Sequence, residues 1–126
     1  MTDIEINKTI HEAMGLKWHK LWYGIDSSYG ESYLSGCKTC NIDFMSEEAI
    51  ERREGSDKHR NPSYTTNWSD YGTALEWLMS DKKLFGEFLF FTEGTDFHYV
   101  STELLVIENG SRIIAEFLNE RKESRG

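Results

Sequence analysis

Four side chains that bind borderline and soft metal ions fall in one short span of this sequence. They are His19, Cys37, Cys40 and His59, in the pattern H-x17-C-x2-C-x18-H. Both cysteines of the chain belong to that one C-x-x-C, and a histidine stands at a similar distance on either side. Two thiolates and two neutral imidazoles complete a tetrahedral shell around Zn²⁺ and leave no open position, so a site of this kind is structural. The pattern limits the fold because the span it crosses is polar and irregular. A metal cross-link can hold such a span where apolar burial is thin. The expected cofactor is therefore structural Zn²⁺, seated in a hairpin and loop region at about 16–62. His11 and His98 are substitutes for either histidine. A reduced cysteine pair beside two unrelated histidines is the competing reading. A redox use of the C-x-x-C lacks the expected β-α-β context.

Length sets the frame for the rest. At 126 residues the chain is expected to form a single domain over 1–126, with a frayed tail at 121–126. Only 38% of residues are hydrophobic, but 13% are aromatic, and large rings bury enough area to build a core. The net charge of −8 argues against unspecific binding to a nucleic-acid backbone, which needs a basic face. Two cysteines make no disulfide framework. The chain has no apolar run long enough for a membrane span, and Met1-Thr2-Asp3-Ile4-Glu5 opens no signal sequence. The expected location is the cytoplasm, where thiols stay reduced.

Periodicity predicts the elements. Ile6, Ile10 and Met14 mark a helix over 3–14, stopped by Gly15. The aromatic run 16–25 reads as a strand, 26–36 as a turn or loop, and 37–44 as a returning strand. Ser46 before Glu47 and Glu48 starts a short helix that Gly55 ends. Trp68, Tyr71, Leu75 and Leu78 mark a third helix starting near Thr66 or Ser69. The runs 84–92 and 97–107 read as strands around a turn at 93–96. Ser111 would cap a last helix over 111–122. The predicted fold class is α+β: helices packed on an antiparallel sheet in a layered sandwich, with a zinc-stabilised N-terminal loop region.

No catalytic constellation emerges. Serines and threonines occupy turn and cap positions, no strand–elbow–helix signature frames any of them, and no glycine-rich phosphate cradle is present. The carboxylates of Glu47, Glu48, Glu51, Glu54 and Asp57 lie on a solvated face rather than in an apolar cleft. The basic residues gather late, at Arg112, Arg121, Lys122 and Arg125. Arg112, near the start of the last helix, suits an anion. Ahead of the third helix, Tyr64, Thr65, Thr66 and Trp68 offer rings and hydroxyls that can hold a ligand or can simply plug the core.

Several stretches carry a family resemblance. Asn7-Lys8-Thr9-Ile10-His11-Glu12-Ala13-Met14-Gly15-Leu16-Lys17-Trp18-His19, the C-x-x-C, and His59-Arg60-Asn61-Pro62-Ser63-Tyr64-Thr65-Thr66 resemble small phage proteins. The opening is similar to the helix and Met-Gly turn of the phage ABA-sandwich proteins. The later stretch is similar to their N-P-x-Y-T-T segment before an aromatic-rich helix. The likeness covers roughly residues 6–80. The chain departs from many zinc knuckles in lacking a glycine after Cys40, although Asn41 can take the same left-handed backbone. The resemblance implies a phage origin and an α/β sandwich, and no activity. By analogy, small accessory phage proteins act on host defence. The expected function is a non-enzymatic anti-defence protein in the host cytoplasm that sequesters an anionic nucleotide-type signal. Tyr64, Thr65, Thr66, Trp68 and Arg112 would form its ligand site, and a homo-oligomer could bring two copies of Arg112 together. One alternative is an acidic inhibitor that binds a host defence protein. Another is a small hydrolase acting on such a signal.

Overall fold

In the computed structural model, residues 1–26, 32–92 and 104–125 are described. The fold class is α+β, with five α-helices and one three-stranded antiparallel sheet among those residues. The chain divides into two compact units. Met1–Leu16 and Pro62–Gly126 form one, and Lys17–Asn61 forms the other.

The first unit is helical. α1 (Asp3–Ala13) is capped by Thr2, whose Oγ1 accepts from the Glu5 N–H. It ends as expected at Gly15, whose φ of 79° is the left-handed conformation that glycine adopts without strain. α2 (Glu47–Glu51) belongs to the other unit. α3 (Trp68–Ser80) starts at Asn67, whose side chain accepts from the Asp70 N–H. α4 (Lys82–Phe91) follows at once, its first turn held by Asp81, whose Oδ1 accepts from the N–H groups of Lys83 and Leu84. α5 (Ile107–Arg125) closes the unit.

Four expectations change here. The run 84–92, expected as a strand, is helical: Leu84, Phe88 and Phe91 recur at helical spacing and α4 buries that face. The expected turn at 93–96 and most of the strand 97–107 lie outside the described residues, while Ile107 already belongs to α5. Ser111 does not cap that helix. It lies inside it, fully buried, and its Oγ donates to the Glu108 carbonyl at 3.2 Å. The tail at 121–125 is helical rather than frayed, with Arg121 bonded to Glu87.

These helices bury their apolar faces against one another. Ile6 and Ile10, Tyr71, Ala74 and Leu78, Leu84 and Phe88, and Ile114, Ala115, Phe117 and Leu118 form one cluster with Tyr64. Phe117 meets Phe88 edge-on at a centroid distance of 5.3 Å, and the tilted ring of Phe91 lies 5.6 Å from it. Tyr71 donates its hydroxyl hydrogen to the Leu104 carbonyl at 2.8 Å, and burial pushes its pKa up to about 12. Gly110 of α5 has no side chain because the Tyr71 hydroxyl occupies that space.

The second unit carries the sheet. β1 (Leu21–Asp26) pairs with β2 (Ser32–Cys37) in the register Leu21↔Cys37 through Asp26↔Ser32, and β3 (Ile42–Asp43) adds Cys37↔Ile42. The stretch 32–36, expected as loop from its serines and glycine, is thus a strand. Gly36 fits there because the Trp22 indole lies across it, within 2.6 Å of where a Cβ would stand. α2 (Glu47–Glu51) starts at Ser46, whose Oγ accepts from the Ala49 N–H. A 3₁₀ turn, Ser56–His59, follows.

Candidate metal centre

His19, Cys37, Cys40 and His59 converge. One ligand atom from each lies within 4.8 Å of all the others, an arrangement that can hold a metal ion. Local structure explains why. Cys37 ends β2 and is fully buried. The chain then turns through residues 38–41, with Asn41 at φ 52°, and this brings Cys40 back beside Cys37. Asn41 here takes the left-handed position in which glycine is commoner, as its side-chain type permits.

His19 is fixed through its backbone. Its N–H donates to Asn61 Oδ1 at 2.8 Å, and Asn61 Nδ2 donates to its carbonyl at 2.7 Å. Asn61 thereby pairs with the His19 backbone much as a neighbouring strand would. Thr39, between the two cysteines, holds the residues on either side. Its Oγ1 donates to the Trp18 carbonyl at 2.8 Å and accepts from the Lys20 N–H at 2.9 Å. Sequence reasoning passed over both positioning residues. Only the presence of a short polar residue inside the C-x-x-C, and of another two positions after His59, pointed to them.

His59 sits in the 3₁₀ turn, 4% exposed, with its ring 5.1 Å from those of Phe44 and His19. Its Nε2 lies 3.3 Å from Glu54 Oε1, while its Nδ1 is buried and has no hydrogen-bond partner among the described residues. Glu54 arrives there through the end of α2. Arg53 adopts φ 54°, its N–H donates to the Ile50 carbonyl, and the Glu54 N–H donates to the Ala49 carbonyl. This is a Schellman turn. It places the left-handed residue at Arg53 rather than at Gly55, where the stop was expected. The result is a carboxylate–histidine pair that engages Nε2 and leaves Nδ1 buried without a partner among the described residues.

Two of the six ligand–ligand edges have coordination length. His19 Nδ1 stands 3.5 Å from Cys37 Sγ and 3.4 Å from Cys40 Sγ. A tetrahedral ion with metal–sulfur and metal–nitrogen bonds of about 2.3 and 2.05 Å has sulfur–nitrogen edges of about 3.6 Å. One imidazole nitrogen has a single proton or a single lone pair, so it cannot bond both thiols well, whereas an ion can join all three atoms. The Cys40 thiol is raised above its ordinary pKa by desolvation, then by the Cys37 thiol beside it. Glu54 acts in the same direction and Lys17 opposes them. A metal must displace that proton, so affinity falls as pH falls.

The other expected site residues lie elsewhere. His11 accepts or donates at Nδ1 to the Tyr64 hydroxyl at 2.9 Å, and His98 is outside the described residues. Tyr64 is a core residue, 3% exposed, with its pKa pushed up to about 12 by burial and then by Asp70. Its backbone N–H donates to Asn7 Oδ1 at 2.7 Å, and Thr65 is buried within 3.5 Å of Asn7 Nδ2. Neither therefore offers a face to a ligand. Thr66 shares a hydrogen bond with Ser63 at 2.6 Å, and Trp68 is 60% exposed, its ring edge-on to Tyr71. Arg112 is exposed on α5, but that helix begins at Ile107, so the free N–H groups of its first turn lie before Arg112 rather than beside it.

No helix among the described residues is long and apolar enough to cross a membrane. Compared with known protein families, curated proteins and solved structures, the chain matches none of them.

Proposed function

We propose that His19, Cys37, Cys40 and His59 bind one Zn²⁺ as a closed structural site, and that the chain works as a non-enzymatic binding protein. The observation that carries the metal reading is the convergence of one ligand atom from each of the four residues within 4.8 Å, with His59 Nδ1 buried and without a partner among the described residues. An unsatisfied buried nitrogen costs about 1–3 kcal/mol, which coordination removes. Two thiolates balance the charge of a divalent ion, and thiolate with imidazole favours zinc over the harder cations. Four protein ligands leave no position for an activated water, so the ion would hold structure rather than perform hydrolysis.

The binding reading draws on the same closed site and on the resemblance to small phage proteins. It makes the chain an accessory protein that acts on host defence by occupying or sequestering its target in the host cytoplasm. The net charge of −8, with Glu47, Glu48 and Glu51 exposed on α2, suits a protein target with a basic surface. Sequestration of a small anion needs a site other than Tyr64.

Elemental analysis of protein purified without chelator tests the proposal. One zinc per chain is expected in the wild type and a strong loss in Cys37→Ser. Cobalt substitution should give the intense visible bands of a tetrahedral thiolate site. A folded wild type that carries no metal and takes up none overturns the metal reading. Turnover of a nucleotide substrate by pure protein overturns the non-enzymatic reading.

A further inference from the structure

The helical unit contains a cavity of about 660 Å³ whose walls come from α1, α3, α4 and α5. That volume lies in the range of small-molecule sites. Buried Leu84 and Leu118 and half-buried Trp77 supply apolar and aromatic surface. Asn119, Arg121 and Lys122 line it as well, on one turn of α5. Two of the late basic residues of the sequence thus meet a tryptophan across a cavity.

Arg121 is held in a particular way. Its Nε donates to Glu87 Oε2 at 2.7 Å. That bond fixes the guanidinium plane while its Nη edge makes no hydrogen bond to a described residue. The arrangement presents a forked donor that needs little further ordering to receive an oxyanion. Lys122 has no ion pair with a described residue and adds a mobile positive charge beside it. Glu12 is the carboxylate on this lining, and Lys8 lies 3.9 Å from it. The second cavity that Arg121 borders, about 630 Å³, is lined by both Glu87 and Glu120 and does not suit an anion.

We infer that the Trp77–Arg121–Lys122 cavity binds an anion with a planar aromatic body, the chemistry of a nucleoside phosphate. This rests on the reading of the chain as a binding protein and names its ligand class. Arg121 and Lys122 take the phosphate, and the Trp77 ring takes the base. The chain's negative charge slows the approach of an anion but acts at long range, where salt screens it. The contact charges act at short range beside apolar walls, where screening is weaker.

Calorimetric titration of the full chain with AMP, GMP, CMP and UMP tests the inference, with inorganic phosphate and the four nucleosides as controls. At least one nucleotide should bind at one site per chain, at least about tenfold more tightly than its nucleoside or phosphate alone. Arg121→Gln and Trp77→Leu should each weaken it by about tenfold or more. Lys122→Ala changes an exposed side chain that the fold does not need, and should weaken it several-fold. No saturation by any of the four up to about 1 mM overturns the inference. So does tight binding that Lys122→Ala and Trp77→Leu both leave unchanged. Zinc content measured on the same samples separates the two readings: non-binding protein with one zinc per chain removes the ligand alone.

Discussion

The two units of this chain solve the same problem with different means. The helical unit has a continuous core of aliphatic and aromatic side chains, from Ile6 to Leu118, in which Phe88, Phe117 and Tyr71 carry much of the buried area. In Lys17–Asn61, apart from Gly36, the buried residues are Cys37, Phe44, Ala49 and His59 among those described. Two of those four belong to the metal cluster. Among the described side chains of this unit Phe44 is the one large apolar ring that is buried, so the apolar burial they supply is small. On the proposed reading, a metal that binds only the folded state would add its binding free energy to the folding of this unit. The contrast is between a core of packed apolar side chains and a cluster of metal-type ligands in a polar, serine- and glycine-rich stretch.

Metal removal should break the comparison most sharply. A strong chelator should abolish amide-exchange protection across Lys17–Asn61 and leave α3 and α5 protected, since structural zinc in small peptides contributes roughly 10–16 kcal/mol. Equal protection of both units after the metal is gone would mean that the second holds itself together without it. The converse change is Phe88→Ala. It should cost the helical unit about 3–5 kcal/mol in denaturant unfolding, with metal content unchanged. A small cost would show that the Phe88–Phe117 contact is not central to that core.

The smallest effect sharpens the picture within the metal unit. Glu54→Gln keeps all four ligands but weakens the orienting acceptor of His59. Metal affinity by competition with a chromophoric chelator should fall about 10- to 100-fold, with the cobalt spectrum preserved. Unchanged affinity would show that the Phe44 contact alone orients the ring.

Some of this was legible in the residues. The four ligands stand out because soft donors are rare and the chain spends both its cysteines on one motif. α1, α2 and α3 were visible from caps and helical spacing, which are local signals. α4 was misread because phenylalanines favour strands in general, while the spacing of Leu84, Phe88 and Phe91 is a helical signal that competes with propensity. Tyr64 could be a ligand platform or a core plug on sequence grounds. The decision lay with Asn7 and His11, more than fifty positions earlier, whose side chains take its backbone N–H and its hydroxyl.

The sequence by itself determined which chemistry the metal cluster can have, because donor type is a property of each residue. It also determined where α2 starts, because the Ser46 cap acts within three positions. Only the tertiary structure decided the rest. It decided that Asn61 fixes the His19 backbone and Thr39 those of Trp18 and Lys20 beside it, that a left-handed Arg53 swings Glu54 onto His59, and that Arg121 is held at Nε by Glu87 beside Trp77. Except for the Arg53 turn, these pairings join residues separated by many positions or by a reversal of the chain. Their geometry follows from how elements pack, which local propensity does not encode.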